Sequence, residues 1–183
     1  ITNKAQQKWN DSYDNLNWKK IFLSPITCTI YSRLRLFQYK YLYRIIPTNK
    51  FLHKCHFVNS SLCQFCNIHV ETVQHLFWDC AHVQHFWTKT NDFLSQNGIN
   101  VAFNFKNISL GIHDDNTKQK TIINFVIFLA KYFIFKCKMQ SDIPCFDNYF
   151  RYLKECKNIE QILAQARSKL ETHNRKWHSI KFE

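Results

Sequence analysis

The chain of 183 residues has few of the residues that interrupt helices, with two glycines and three prolines. Sandwiches and barrels need turn residues at short intervals, so this scarcity argues for long helices joined by short connections. Gly98 and Gly111 stand alone, which leaves no glycine-rich loop to cradle a phosphate. Long apolar runs are missing too. Ile122 to Phe135 is interrupted by Asn124 and Lys131, falls short of the roughly 20 residues of a membrane span, and reads as a central buried helix. Acidic residues are scarce, 13 against 25 lysines and arginines, and the net charge of +12 favours a polyanionic partner. The first residue is Ile1 and the single methionine is Met139, so we expect a piece of a longer polypeptide. No leading apolar segment is present, and we expect a protein of the nucleus and cytoplasm, in a reducing compartment, without a membrane partner.

Cysteine, by contrast, is plentiful, eight in all, and in a reducing compartment metal ligation is preferred to disulfides. Cys63, Cys66, His75 and Cys80 form a C-x2-C-x8-H-x4-C pattern inside an aromatic stretch from Leu62 to Trp87. Two thiolates two residues apart fit one metal through a tight knuckle, and His75 and Cys80 can close a tetrahedron from a short helix. Three sulfurs and an imidazole fill every position, which predicts one structural Zn2+ rather than a catalytic one. His69, His82 and His85 nearby, or His53, Cys55 and His56 upstream, are the alternative ligands.

The periodicity predicts a mainly α fold, a helical domain organised around a CCHC zinc knuckle with at most one short β element. It divides into basic aromatic helices over 1–60, the zinc module and its following helix over 61–97, and a helical subdomain over 98–183. An opening helix over 3–23 ends at Ser24-Pro25. Ile30, Leu34, Phe37, Tyr41 and Ile45 then mark one face of a helix from Thr27 to Ile46, ended by Pro47. Thr48-Asn49 should cap a short helix, Glu71-Thr72 should begin the one that delivers His75, and Val83 to Leu94 should form a longer one stopped by Asn97-Gly98. Ile99, Val101, Phe103 and Phe105 alternate like a short strand. Asp114 to Thr117 offer caps for a helix ending near Met139. Two further helices carry Phe146 to Leu153 and Ile159 to Leu170, followed by a tail from His173.

No catalytic constellation emerges. Asp114-Asp115 resembles the metal-holding pair of polymerases only superficially, since its neighbours His113 and Asn116 and the helix after it suit capping. Charge is regional: residues 1–60 carry +8, residues 61–115 carry −3 and residues 116–183 carry +7. Arg33, Arg35, Lys40, Arg44, Lys50 and Lys54 are interleaved with Tyr31, Phe37, Tyr39, Tyr41 and Tyr43. Such cations can follow phosphates while exposed rings stack on unpaired bases, although Phe37 and Tyr41 fall on the core face. Lys169, Arg175, Lys176 and His178 repeat the pattern more weakly.

The combination of Arg44-x2-Pro47-Thr48-Asn49, Cys63-x2-Cys66, Glu71-Thr72-x2-His75-Leu76-Phe77-Trp78-x-Cys80 and Phe86-Trp87 resembles the zinc-binding segment at the C-terminal end of LINE-type (non-LTR) retrotransposon reverse transcriptases. The Leu129-Ala130-Lys131-Tyr132 to Lys138 run and the aromatic helix after Pro144 resemble the tail of the same polyproteins. The resemblance implies a non-catalytic appendage that binds template RNA or target DNA beside the remainder of the polyprotein, during target-primed reverse transcription. The metal ligands implied are the same four residues. A second expectation, from the aromatic surplus, is a zinc-stabilised module docking on the polymerase domain or a host factor.

Overall fold

The computed structural model describes residues 4–114, 117 and 119–182. Its elements are α1 (Lys4–Asn10), α2 (Trp18–Cys28), α3 (Ser32–Leu42), α4 (Asn49–Lys54), a π-helical turn (His75–Asp79), α5 (Ala81–Gln96), α6 (Phe105–Leu110), α7 (Lys120–Gln140), α8 (Phe146–Ala166) and α9 (Leu170–Trp177). The fold is mainly helical, as the scarcity of glycine and proline predicts. Its only β pairing among the described residues is an isolated antiparallel bridge between Leu62 and Val70. The alternating stretch from Ile99 is irregular and not a strand. It ends where the Asn104 side chain caps α6 by accepting the Asn107 N–H at 2.9 Å.

Helix α7 is the axis. Every residue from Ile122 to Lys131 is buried, and a helix apolar on all sides must be surrounded. Helices α2, α3, α6, α8 and α9 all pack on it. Full burial of each Ile, Leu, Val or Phe contributes about 1.5–3 kcal/mol, so this one helix supplies much of the drive to fold. No described helix is long and apolar enough to cross a membrane. Polar tips inside the core find partners: Tyr149 Oη donates to Val126 O at 2.9 Å and Tyr31 Oη to Cys156 O at 2.7 Å. Asn124 on α7 accepts the Ile112 N–H at 2.7 Å and donates to Ser24 Oγ at 3.0 Å, tying α2 to the segment after α6. Gly111 is needed there. Its φ is +87°, and a Cβ would lie 3.0 Å from both Asn124 Oδ1 and Phe128 Cζ.

Several boundaries differ from the sequence expectations. The opening segment breaks at Asp11 to Asn17, not at Pro25, because Asn17 caps α2 through the Lys20 N–H. Pro25 lies inside α2, where burial of Ile21, Pro25 and Cys28 on the side that meets α7 offsets the lost backbone bond. Helix α3 is shorter than Thr27 to Ile46: Leu34, Phe37 and Tyr41 are buried on it as expected, while Ile30 and Ile45 fall outside it and are exposed. Helix α7 starts at Lys120 with Gln119 before it, so Asp114 and Thr117 do not cap it; Asp115 and Asn116 lie outside the described residues. The two expected C-terminal helices are one, α8. The tail forms α9, and Trp177 and Ile180 are buried.

Candidate metal centre

The first two ligands come from a tight hairpin. The Cys63 N–H donates to His69 O at 2.7 Å and the Glu71 N–H to Ser61 O at 2.8 Å, on either side of the Leu62–Val70 bridge. Asn67 turns the chain at φ +53°, a conformation asparagine tolerates, and its N–H donates to Cys63 O at 2.8 Å. This curl aims backbone amides at the sulfurs. Cys63 Sγ receives those of Phe65 and Cys66, and Cys66 Sγ those of Ile68 and His69. Cys80 Sγ receives those of His82 and Val83 at the start of α5. N–H donors of this kind favour the thiolate, the form that binds metal.

The other two ligands flank the π turn. Residues five apart on an α-helix sit about 140° apart around the axis, too far to share an ion. The wider turn closes from His75 O to the Cys80 N–H at 3.0 Å and brings both side chains to one side. Thr72 Oγ1 accepts the His75 N–H at 3.0 Å and orients the entry. Sequence reasoning foresaw a short helix delivering His75, but not its winding.

The four donor atoms lie within 4.8 Å of one another. Cys63 Sγ and Cys80 Sγ are 3.9 Å apart, and Cys66 Sγ is 3.4 Å from His75 Nε2. Tetrahedral bonds of about 2.3 Å to sulfur and 2.0–2.1 Å to nitrogen require separations near 3.8 and 3.5 Å, so the donors fit zinc. Cys63, His75 and Cys80 are buried and Cys66 is half-buried. Burial, with the His69 ring 5.4 Å away, holds the His75 imidazole below its usual pKa and therefore neutral. Burial pushes the Cys63 thiol up to about 12, so metal must displace a proton there. His53, Cys55, His56, His69, His82 and His85 are exposed and outside the cluster. The set is Cys3His, the three sulfurs and one imidazole that the spacing predicts, carried on a hairpin and a π turn rather than on a knuckle.

A carboxylate that sequence reasoning placed only at a helix start secures this hairpin. Glu71 is fully buried. Its Oε1 accepts the Asn49 N–H at 2.7 Å, its Oε2 the Gln64 N–H at 3.2 Å, and Lys138 Nζ on α7 lies 3.3 Å from Oε1. Lys138 also donates to Asn49 Oδ1 at 3.1 Å. Helix α4 is thereby capped by Glu71 rather than by Thr48, whose side chain makes no cap bond. The hairpin, α4 and the end of α7 become one rigid corner.

The expected nucleic-acid contacts divide. Arg33, Lys40, Arg44, Lys50 and Lys54 are exposed, on α3, the turn after it and α4. Arg35 is half-buried and donates through its guanidinium to Ile26 O and Thr29 O, closing the end of α2. Arg44, at φ +56°, lies 4.2 Å over the Trp9 ring. No acidic residue occurs between Asp14 and Glu71, so the segment between them carries eight lysines and arginines, five of them on this surface, with no opposing charge of its own.

Fold and site together define a helical domain built on one structural, four-protein-ligand zinc ion. Residues 3–87, which include all four ligands, match the family described as zinc-binding in reverse transcriptase, and this match supports a reverse-transcriptase-associated zinc domain. Such a segment is an accessory to the polymerase, not its catalytic core. No curated protein matches the chain.

Proposed function

We propose that this domain binds nucleic acid for a LINE-type (non-LTR) reverse transcriptase, as a C-terminal accessory that holds template RNA or target DNA during target-primed synthesis. The observation that carries the reading is the coupling of the metal hairpin to α4 through Glu71, beside an acid-free run of exposed cations on α3 and α4. Zinc supplies rigidity at that corner; the cations supply affinity that falls steeply with salt. The test is anisotropy of a labelled RNA hairpin against Arg33→Glu with Lys40→Glu, at several salt concentrations. Affinity should drop at least tenfold while one zinc per chain is retained. Binding equal to the parent protein at every salt concentration removes α3 as the contact surface.

Phe57, Ile68, Ile45 and Phe51 are 78, 71, 59 and 56% exposed around the same corner, which favours a second reading in which it docks on the polymerase domain or a host factor. Salt-insensitive association with protein, with no shift of labelled RNA or DNA, distinguishes that case.

A further inference from the structure

Away from the zinc corner, a cleft of about 520 Å³ opens between the end of α2, the start of α7, the end of α8 and α9. Its size lies within the roughly 300–1,000 Å³ of small-molecule sites. Five cations line it: Arg35 from α3, Arg167 and Lys169 from the α8–α9 connection, and Arg175 and Lys176 from α9. Arg167, Lys169 and Arg175 are exposed, and Arg175 shares its charge with Glu171 at 2.9 Å. The single carboxylate in the lining is Glu160. It is satisfied internally, by Lys176 Nζ at 2.7 Å and by Trp177 Nε1 at 2.9 Å, so it does not cancel the rim. Apolar side chains line the rest of it, with Ile26 and Ile30 exposed and Leu163 and Ala164 half-buried. Neither Gln119 nor Lys169, the residues that precede the first turns of α7 and α9, caps its helix with its side chain.

Aliphatic side chains beside a cationic rim match one unpaired nucleotide, with the base against the aliphatic side chains and its flanking phosphates on the exposed arginines and lysine. A duplex offers no free base to such a cleft, and a small inorganic anion would leave the wall uncovered. We infer that the α2–α8–α9 cleft is a second nucleic-acid subsite, which takes a single unpaired nucleotide of a strand whose other part lies on the α3–α4 face. This rests on the nucleic-acid reading above but uses different residues, and two of them, Lys169 and Arg175, belong to the basic C-terminal cluster that the α3–α4 surface leaves unexplained.

The experiment measures anisotropy of 5′-fluorescein-labelled 12-nucleotide oligouridylate, and of oligodeoxythymidylate, with the full chain. Three proteins are compared: the parent, Arg167→Glu with Lys169→Glu, and Arg33→Glu with Lys40→Glu, each checked for helical content and one bound zinc. The cleft variant should bind the single strands at least tenfold more weakly, and its salt slope should shrink by about 1.4, the value for two lost phosphate contacts. A 4-thiouridine-substituted strand should crosslink to peptides from 26–30 and 163–172. Comparable loss with both strands points to the base and phosphates, and loss with RNA alone adds a contact to the 2′-hydroxyl. Unchanged binding by the cleft variant, while the α3 variant weakens, overturns the subsite and leaves the α3 surface standing. Loss in the cleft variant alone supports the subsite and overturns the α3 surface. A parent protein that binds neither strand overturns the subsite and, if it also ignores the RNA hairpin, the nucleic-acid reading itself.

Discussion

Glu71 has two oxygens and serves two backbone amides and one ammonium, and its own side chain is fully buried. Such a pair is expensive to assemble and more expensive to break, because the remaining charge stays buried without its partner. Glu71→Gln should therefore cost about 3–5 kcal/mol in urea unfolding, and Lys138→Met placed in the same chain should recover part of it. A loss below about 1 kcal/mol, the size of an exposed pair, would show that water reaches the carboxylate. The side chains around the metal act at the same scale: three sulfurs each receive two backbone amides, and a neutral imidazole completes the set.

At the scale of elements, zinc and the Glu71 carboxylate together join parts that are too short to be stable alone. The hairpin over 61–71 contains one bridge, α4 has six residues with none buried, and the π turn has five. Short helices and isolated hairpins are marginal in water. Helices α7 and α8, each of 21 residues, are held instead by the apolar core. Cys80→Ser should release the metal and expose the amides from Asn49 to Cys80 to rapid hydrogen exchange, while those of α7 and α8 stay protected. Uniform loss of protection along the chain would mean that the ion nucleates the whole fold and not one corner of it.

Across the whole molecule the three stretches 1–60, 61–97 and 98–183 contribute to one apolar cluster, which runs from Trp9 through Phe77 and Phe128 to Ile180. Lys131 sits within it, fully buried where α3, α6 and α7 meet. It donates to Gln38 Oε1 at 2.6 Å and Ser109 O at 3.1 Å and lies 4.0 Å from the centre of the Tyr41 ring. Burial holds its pKa well below the ordinary lysine value. Between that lowered value and about 10.4, the unfolded chain binds more protons than the folded one, so this residue's contribution to stability rises with pH and is lost as pH falls. Relative to Lys131→Met, the parent protein should gain in Tm from pH 7 towards pH 10. Parallel Tm profiles across that range would contradict this assignment.

The ligand spacing, the helical class and the central helix are properties of local order in the chain, and they were legible without coordinates. Thiolates two apart suit one ion whatever surrounds them, and ten consecutive residues without a polar face have to be enclosed. The passage of α2 through Pro25 was not legible, because burial against α7 overrode the local signal there, and neither were the ends of α3 and α8. Nor were the π turn, the Glu71–Lys138 corner or the cleft between α2, α8 and α9. The corner and the cleft depend on residues brought together from distant parts of the chain, 67 positions apart for Glu71 and Lys138, and pairing at that separation is decided by packing, which a one-dimensional pattern does not contain.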